Sequence, residues 1–327
     1  MVVEIAVVGA GVIGLSTAYK LQQDIKDCQV TVFYKECSPD TTGDVSAGFI
    51  YPYICSGHKV NYWFSETMKY FSEIYKLPNA FEMGVQPLHG YIYDDGLHED
   101  LKQMFPFHAP ITDKERDSLN LDLQHKVTTW TCDCGLYLPW LMKRIAEQGG
   151  KLVQKCVRSF EELQDFDVIV NCAGMGAKKL TNDPLLHPVR GQVFVVKAPW
   201  VKALFLTKSA YVLPRLDTVV LGGTSQRGDY NLEVDRVDSA RIWEECCRLC
   251  PSVAYAEVVA ERVGLRPFRE STIRVELEEV KLNQRNVPIL HNYGHGGGGV
   301  SLHWGCALES SGILQKFLDE RRALSKL

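Results

Sequence analysis

The sequence has no apolar run approaching about 18 residues, the length a membrane-spanning helix needs. It also has no cluster of lysines and arginines, and its formal net charge is −4. A chain so balanced offers neither the basic stripe that nucleic acid requires nor the polybasic patch that holds a protein to anionic lipid, so no nucleic-acid or membrane partner is expected. A secretory leader is missing too: the first apolar residues, Ile5 to Val8, have no charged segment before them and run straight into glycines. The eleven cysteines include Cys132-x-Cys134 and Cys246-Cys247-x-x-Cys250. Neither has a second pair or a histidine at zinc-site spacing, so no metal is expected. An odd cysteine count without an export signal points to reduced thiols. No feature sets an oligomeric state.

What is present begins with Ile5-Ala6-Val7-Val8, then Gly9-Ala10-Gly11-Val12-Ile13-Gly14, then Leu15 to Tyr19 in a helical pattern. Strand, glycine turn and helix in that order make a dinucleotide fingerprint. Gly9 permits the tight turn, Gly11 lets the backbone approach a pyrophosphate, and Gly14 lets the helix pack on the strand. The N–H groups of the first helical turn then hold the diphosphate. The turn alone leaves NAD and FAD open. At 327 residues, two lobes are expected.

Val30 to Tyr34 reads as the second strand of a βαβ unit, with Lys35 and Glu36 at its end. Glu36 lies near the interval at which an acid meets the ribose hydroxyls. The small and hydroxyl residues Pro39 to Gly48, among them Thr41, Thr42, Ser46, Ala47 and Gly48, suit a loop that meets a phosphate or ring. Tyr51 to Tyr75 reads as largely helical, and Asn79 to Thr131 as an inserted lobe with a strand at Gly90 to Tyr93. A helix from Leu136 to Glu147 stops at Gly149-Gly150, and Val153 and Val157 suggest a return strand. Asp167 to Gly174 has the form of a buried parallel strand that delivers a loop, with Ala173, to a ligand.

Arg190-Gly191-Gln192 opens another strand, and Tyr211 to Pro214 with Thr218 to Gly223 reads as a hairpin in a second, substrate-carrying lobe. Val287 to Leu290 is a strand, followed by Gly294-His295-Gly296-Gly297-Gly298-Gly299 and a helix from Val300 and Ser301 onward. This second glycine loop would aim backbone donors at the same ligand. The last three residues, Ser325-Lys326-Leu327, match the signal read by the peroxisomal import receptor, so a peroxisomal location is expected.

These stretches resemble the D-amino-acid oxidase and D-aspartate oxidase family of FAD enzymes. The resemblance rests on Val7 to Thr17, Asp44 to Gly48, Val168 to Cys172, Arg190-Gly191-Gln192, Gly264-Leu265-Arg266-Pro267, and His291 to Gly296 with His303-Trp304-Gly305. It implies an α/β fold, with a Rossmann-like FAD-binding domain on a parallel sheet and a substrate domain on a mixed or antiparallel sheet. Residues 1–50, 150–189 and 255–327 would form the first, and 51–149 and 190–254 the second. Val157, Ala173 and the loop Gly296 to Ser301 would join the first glycine turn around FAD.

In such a family Arg266 forks onto the substrate α-carboxylate, a task suited to a planar guanidinium. Tyr211 would hydrogen-bond the same group, with Tyr53 and Gly297 beside the substrate. The implied reaction carries a D-amino acid and O2 to a 2-oxo acid, ammonia and hydrogen peroxide. An acidic substrate needs a further cation, because a buried carboxylate left unpaired is costly. The arginine typical of D-aspartate oxidases after Gly222-Gly223-Thr224 is Ser225 here, and the serine of the flavin loop is Gly297. The stretches Cys132 to Leu141 and Gly222 to Asn231 look more like the aspartate branch, with Lys208, Arg227 or Arg215 as the cation. Acidic D-amino acids are therefore expected, with neutral ones as the alternative. An NAD-dependent dehydrogenase and a flavin-holding protein without catalysis are the readings from other classes.

Overall fold

A computed structural model describes residues 2–94 and 99–324, so Ser325-Lys326-Leu327 lie outside the described residues. Within them the strands are β1 (Val3–Val8), β2 (Cys28–Tyr34), β3 (Val85–Ile92), β4 (Phe107–Pro110), β5 (His125–Cys132), β6 (Lys151–Gln154), β7 (Val168–Asn171), β8 (Leu186–Lys197), β9 (Leu204–Leu206), β10 (Tyr211–Pro214), β11 (Val219–Gly222), β12 (Gln226–Arg227), β13 (Glu257–Arg269), β14 (Arg274–Leu282) and β15 (Arg285–Tyr293).

The first sheet has the order β14-β15-β7-β1-β2-β6. β1 lies between β7 and β2 and runs parallel to both, buried on two faces, which is why Ile5 to Val8 is an unbroken apolar run. β15 is parallel to β7, so β1, β2, β7 and β15 all end on one edge of the sheet. In such sheets ligands bind beyond the strand C-termini. That edge is where both glycine loops emerge, although their sequence positions are far apart. β14, the antiparallel outer strand, carries Glu276, Glu278, Glu279 and Lys281, the charges that protect an open edge; Glu278-Glu279 interrupt its alternation of Val275 and Leu277 with Val280 and Leu282.

The second sheet runs β12-β8-β11-β10-β9-β3-β5-β4, and β13 also pairs with β8. Buried almost throughout, β8 takes β11 and β12 on one side and β13 on the other. Residues 257–269, which the sequence assigns to the cofactor part, therefore belong to the substrate-side sheet, and the cofactor sheet resumes at β14. This matters chemically because β13 carries Arg266. Helix Arg236–Leu249, capped by Asp235, covers one face of this sheet, packing its Ile242 and Cys246 against Phe194, Val212 and Leu221.

The N-terminal helix Val12–Asp24 packs on the C-terminal helix Gly299–Leu324. The expected helix over Tyr51 to Tyr75 forms only from Val60. Pro52 and Gly57, the latter at φ 135°, keep residues 51–59 irregular, and Tyr51 and Tyr53 of that segment line the cavity. Helix Cys134–Glu147 and hairpin β10–β11 lie where the residues predict them. All eleven cysteines are free thiols.

Candidate active site

A cavity of about 880 Å³ opens at the strand ends of the first sheet and reaches β10, β11 and β13 of the second. At its first-sheet end the three glycines of the N-terminal turn have separable tasks. Gly9 has φ 115°, and a Cβ on it would stand 2.4 Å from the Cys172 carbonyl oxygen. A Cβ on Gly14 would stand 1.9 Å from the Gly9 oxygen. At Gly11 a Cβ would meet nothing within 4 Å, and Gly11 is on the cavity wall. Two glycines thus shape the turn, and the third leaves bare backbone toward the cavity.

The helix that follows has no side-chain cap and no acidic residue in its first turn. Its N–H groups and positive dipole end are therefore open to an anion. This cradle fits the diphosphate of a dinucleotide.

Around it the cavity wall includes Ala10, Val12 and Ile13 of the turn, then Lys35, Glu36, Thr41, Thr42, Ser46 and Ala47. Lys35 and Glu36 pair with each other at 2.6 Å on the rim. Asp44 sets the shape of the 38–48 loop: it accepts from Ser38 Oγ at 2.7 Å, Thr41 Oγ1 at 2.7 Å and Thr41 N at 2.9 Å. The Thr41 hydroxyl is thereby spent within the loop. Val157 and Ala173 complete this end, with Gly296, Gly297, Gly299 and Val300 arriving from the second glycine loop.

Four expected cofactor residues stand behind the wall. Gly14 packs on Gly9, and Gly48 packs on the Cys132 carbonyl. Gly298 faces Cys55, and Ser301 exchanges hydrogen bonds with the Tyr51 backbone. The second glycine loop also has a task that its sequence does not reveal. A Cβ on Gly296 would meet the Ile54 oxygen at 1.9 Å, and one on Gly297 the Tyr53 oxygen at 2.7 Å. These glycines let the loop lie flat on residues 53–54; a serine at 297 would press on Tyr53.

The far end of the cavity is lined by Tyr53, Lys208, Tyr211, Thr224, Tyr230 and Arg266. Arg266 donates through Nη1 to the carbonyls of Thr224 at 3.0 Å and Arg190 at 3.3 Å. Among the described residues it has no carboxylate partner. Its Nε and Nη2 donors remain for a ligand, and its guanidinium carbon lies 5.9 Å from the centre of the Tyr53 ring. Burial pushes the Tyr211 phenol up to about 12, with Arg266 acting in the opposite sense, so Tyr211 stays a protonated donor.

The three candidate cations separate cleanly. Lys208 is on the cavity wall, its ammonium 4.4 Å from the centre of the Tyr93 ring. Arg227 is exposed and lies over Phe268, off the wall. Arg215 is buried, donates to the carbonyls of Ser46 and Ala47, and lies 3.6 Å from Asp133. It is part of the frame that holds the cofactor-side loop, and the sequence-based option of Arg215 or Arg227 facing the substrate does not survive.

Thr224, Tyr230, Lys155 and Asn292 also line the cavity and were not singled out by sequence. Lys155 was reachable, since it follows β6, which is parallel to β2. Asn292 donates to Thr17 Oγ1 at 3.1 Å and ties β15 to the N-terminal helix. His295 and His303 are buried, and burial pushes them down to about 3 and about 4, so both are neutral. Among the described residues no acidic, histidine or cysteine cluster could hold a metal ion, and no helix is long and apolar enough to cross a membrane.

A glycine cradle that fits a dinucleotide lies at one end of the cavity, and an arginine with no carboxylate partner among the described residues lies at the other. The chain matches the family described as FAD dependent oxidoreductase (DAO) over residues 4–311. It is 38% identical to human D-aspartate oxidase, over 97% of this chain and 96% of that protein. It is 32% identical to a D-amino acid oxidase of Dugesia ryukyuensis, over 96% of this chain and 98% of that protein. Among solved structures, iminodiacetate oxidase from Chelativorans sp. BNC1 shares the fold at TM-score 0.75 and 19% identity, covering 95% of each chain. The protein belongs to the DAO family of FAD-dependent oxidoreductases, and its cofactor is FAD.

Proposed function

We propose that this protein oxidatively deaminates D-amino acids, with preference for acidic ones such as D-aspartate and D-glutamate, giving a 2-oxo acid, ammonia and hydrogen peroxide. The observation that carries this reading is Arg266, in the cofactor's own cavity, with donors to spare and no carboxylate among the described residues to satisfy them. Its fork takes the substrate α-carboxylate, and the Tyr211 hydroxyl donates a further hydrogen bond to it. Once the carboxylate and the amine are both held, only one face of Cα can meet the cofactor, which sets handedness.

Gly9 to Ile13, Lys35, Glu36, Thr41, Thr42, Ser46, Ala47, Val157, Ala173, Gly296, Gly297, Gly299 and Val300 would hold FAD. When bound, FAD supplies a two-electron acceptor that O2 reoxidises. The backbone N–H groups of residues 11–14 would donate hydrogen bonds to its diphosphate, and no side-chain base is required of the protein.

For the acidic preference, Lys208 supplies the second cation, and the similarity to human D-aspartate oxidase supports the choice. The second reading, neutral D-amino acids, is favoured by Ser225 and Gly297, which stand where D-aspartate oxidases typically carry arginine and serine. Import into peroxisomes through Ser325-Lys326-Leu327 fits an enzyme that releases hydrogen peroxide. The test is peroxide release by the FAD-loaded protein with D-aspartate, D-glutamate, D-alanine and D-methionine. Highest kcat/KM on the two acids supports the proposal. Higher values on alanine and methionine select the second reading, and no peroxide from any of the four removes both.

A further inference from the structure

We propose that Gly191 and Gly222 are positioning residues, each leaving the notch in which one of the two carboxylate-binding side chains lies: Gly191 for Arg266 and Gly222 for Tyr211. The inference rests on the reading that Arg266 and Tyr211 bind the substrate carboxylate.

A Cβ on Gly191 would stand 2.4 Å from Arg266 Nη2 and 2.5 Å from its Cζ and Nη1. The guanidinium therefore lies flat on the backbone of β8. Across the hairpin, Tyr211 is the direct cross-strand partner of Gly222, and a Cβ there would stand 2.3 Å from Tyr211 Cζ and 2.4 Å from its hydroxyl. Neither glycine has a positive φ, although Gly222 is joined to Gly223 by a cis peptide bond. Glycine within strands is otherwise unfavourable. Space for the guanidinium is the physical reason at Gly191, and space for the ring is one at Gly222.

The seat under Arg266 is also held still. The Arg190 carbonyl accepts from Arg266 Nη1, and the Arg190 side chain is itself buried, at 1% exposure. It donates to Asn231 O at 2.9 Å, Gln226 Oε1 at 2.7 Å, Asp238 Oδ2 at 3.2 Å, Gln192 Oε1 at 2.8 Å and Glu233 O at 2.6 Å. A peptide pinned on both sides gives Arg266 one orientation. Arg190-Gly191-Gln192 thus acts on the substrate at one remove, through the group lying on it.

The test is a double-mutant cycle on the FAD-loaded protein, Gly191→Ala against Arg266→Lys. Readouts are KM and kcat for D-aspartate and D-alanine, the Kd of propionate from its perturbation of the flavin spectrum, and the Kd of FAD. Gly191→Ala alone should lower kcat/KM about 100-fold on both substrates, the scale of a misplacement near 1 Å, and weaken propionate while leaving FAD affinity unchanged. In the Arg266→Lys background, where no planar group lies over residue 191, the same methyl should cost less than about twofold. Equal losses in the two backgrounds would overturn the proposal.

Should Gly191→Ala not accumulate as folded protein, recovery of folding by Arg266→Lys supports the notch, and failure to recover overturns it. For the second notch, Gly222→Ala should cost less than about twofold in kcat/KM in a Tyr211→Ala background and its full loss in a Tyr211→Phe background; a small cost in both or a full cost in both contradicts it. If Arg266→Lys by itself leaves KM and propionate binding unchanged, the carboxylate reading has failed first, whatever the glycine variants do.

Discussion

The two ends of the cavity are built from different materials. The first sheet presents backbone to the cavity: a turn of three glycines, an uncapped helix start and a second glycine loop laid on residues 53–54. The second sheet's end is lined by side chains, Arg266, Tyr211 and Lys208, two of which lie against glycines on neighbouring strands. A diphosphate is the same in every FAD, so fixed N–H groups suffice for it. A substrate must be told from its relatives, and side chains can change while the sheet beneath them stays.

The largest effects are expected where the backbone end is disturbed from inside. Gly14→Ala places a methyl 1.9 Å from the Gly9 oxygen. It should destabilise the fold by about 3 kcal/mol or more and abolish FAD binding, seen as loss of flavin absorbance in purified protein and a lowered Tm. Gly11→Ala is the contrast: its Cβ meets nothing within 4 Å, so Tm of the apoprotein should hold while FAD affinity falls about tenfold or more. Equal Tm losses in the two variants would break the division between shaping and ligand-facing glycines.

Next, Arg266→Leu should abolish turnover on every substrate and keep FAD bound. Near-normal activity would remove Arg266 from the carboxylate role. Lys208→Ala should lower kcat/KM about tenfold on D-aspartate and less than about twofold on D-alanine, the scale of one hydrogen-bonded charge. An equal loss on both would make Lys208 a rim residue.

The smallest effect lies on the cofactor side. His303 is held at about 4 in the fold against an ordinary value of 6.5. The unfolded chain therefore takes up a proton first as pH falls. The stability this buried neutral ring contributes is complete above pH 6.5 and is lost toward pH 4. His303→Gln should flatten the fall of Tm across that window; an unchanged slope would assign the acid sensitivity elsewhere.

How much of this was legible in the residues follows the same division. The first glycine turn could be read down to the separate task of each glycine, because strand, turn and helix are contiguous and their geometry is local. Arg266 was reachable only through the resemblance, since nothing local distinguishes it from a surface arginine. Its strand, β13, could not be assigned to a sheet from sequence, because its partner β8 lies far away along the chain. The same distance hid why Gly296 and Gly297 are glycines, for the atoms they make room for belong to Tyr53 and Ile54. Lys208, Arg215 and Arg227 were indistinguishable as charges; only their placement separates a wall residue, a frame residue and an exposed one.

The central claim, that a backbone cradle and a side-chain seat work as one site, is tested most directly by anaerobic reduction of the bound flavin. The FAD-loaded protein would be mixed with D-aspartate, L-aspartate and D-alanine in a stopped-flow spectrometer. The account predicts rapid bleaching by D-aspartate, slower bleaching by D-alanine and none by L-aspartate, with D-aspartate bleaching lost in Arg266→Leu although its flavin is still bound. Bleaching by L-aspartate at a comparable rate, or undiminished bleaching in Arg266→Leu, would contradict it.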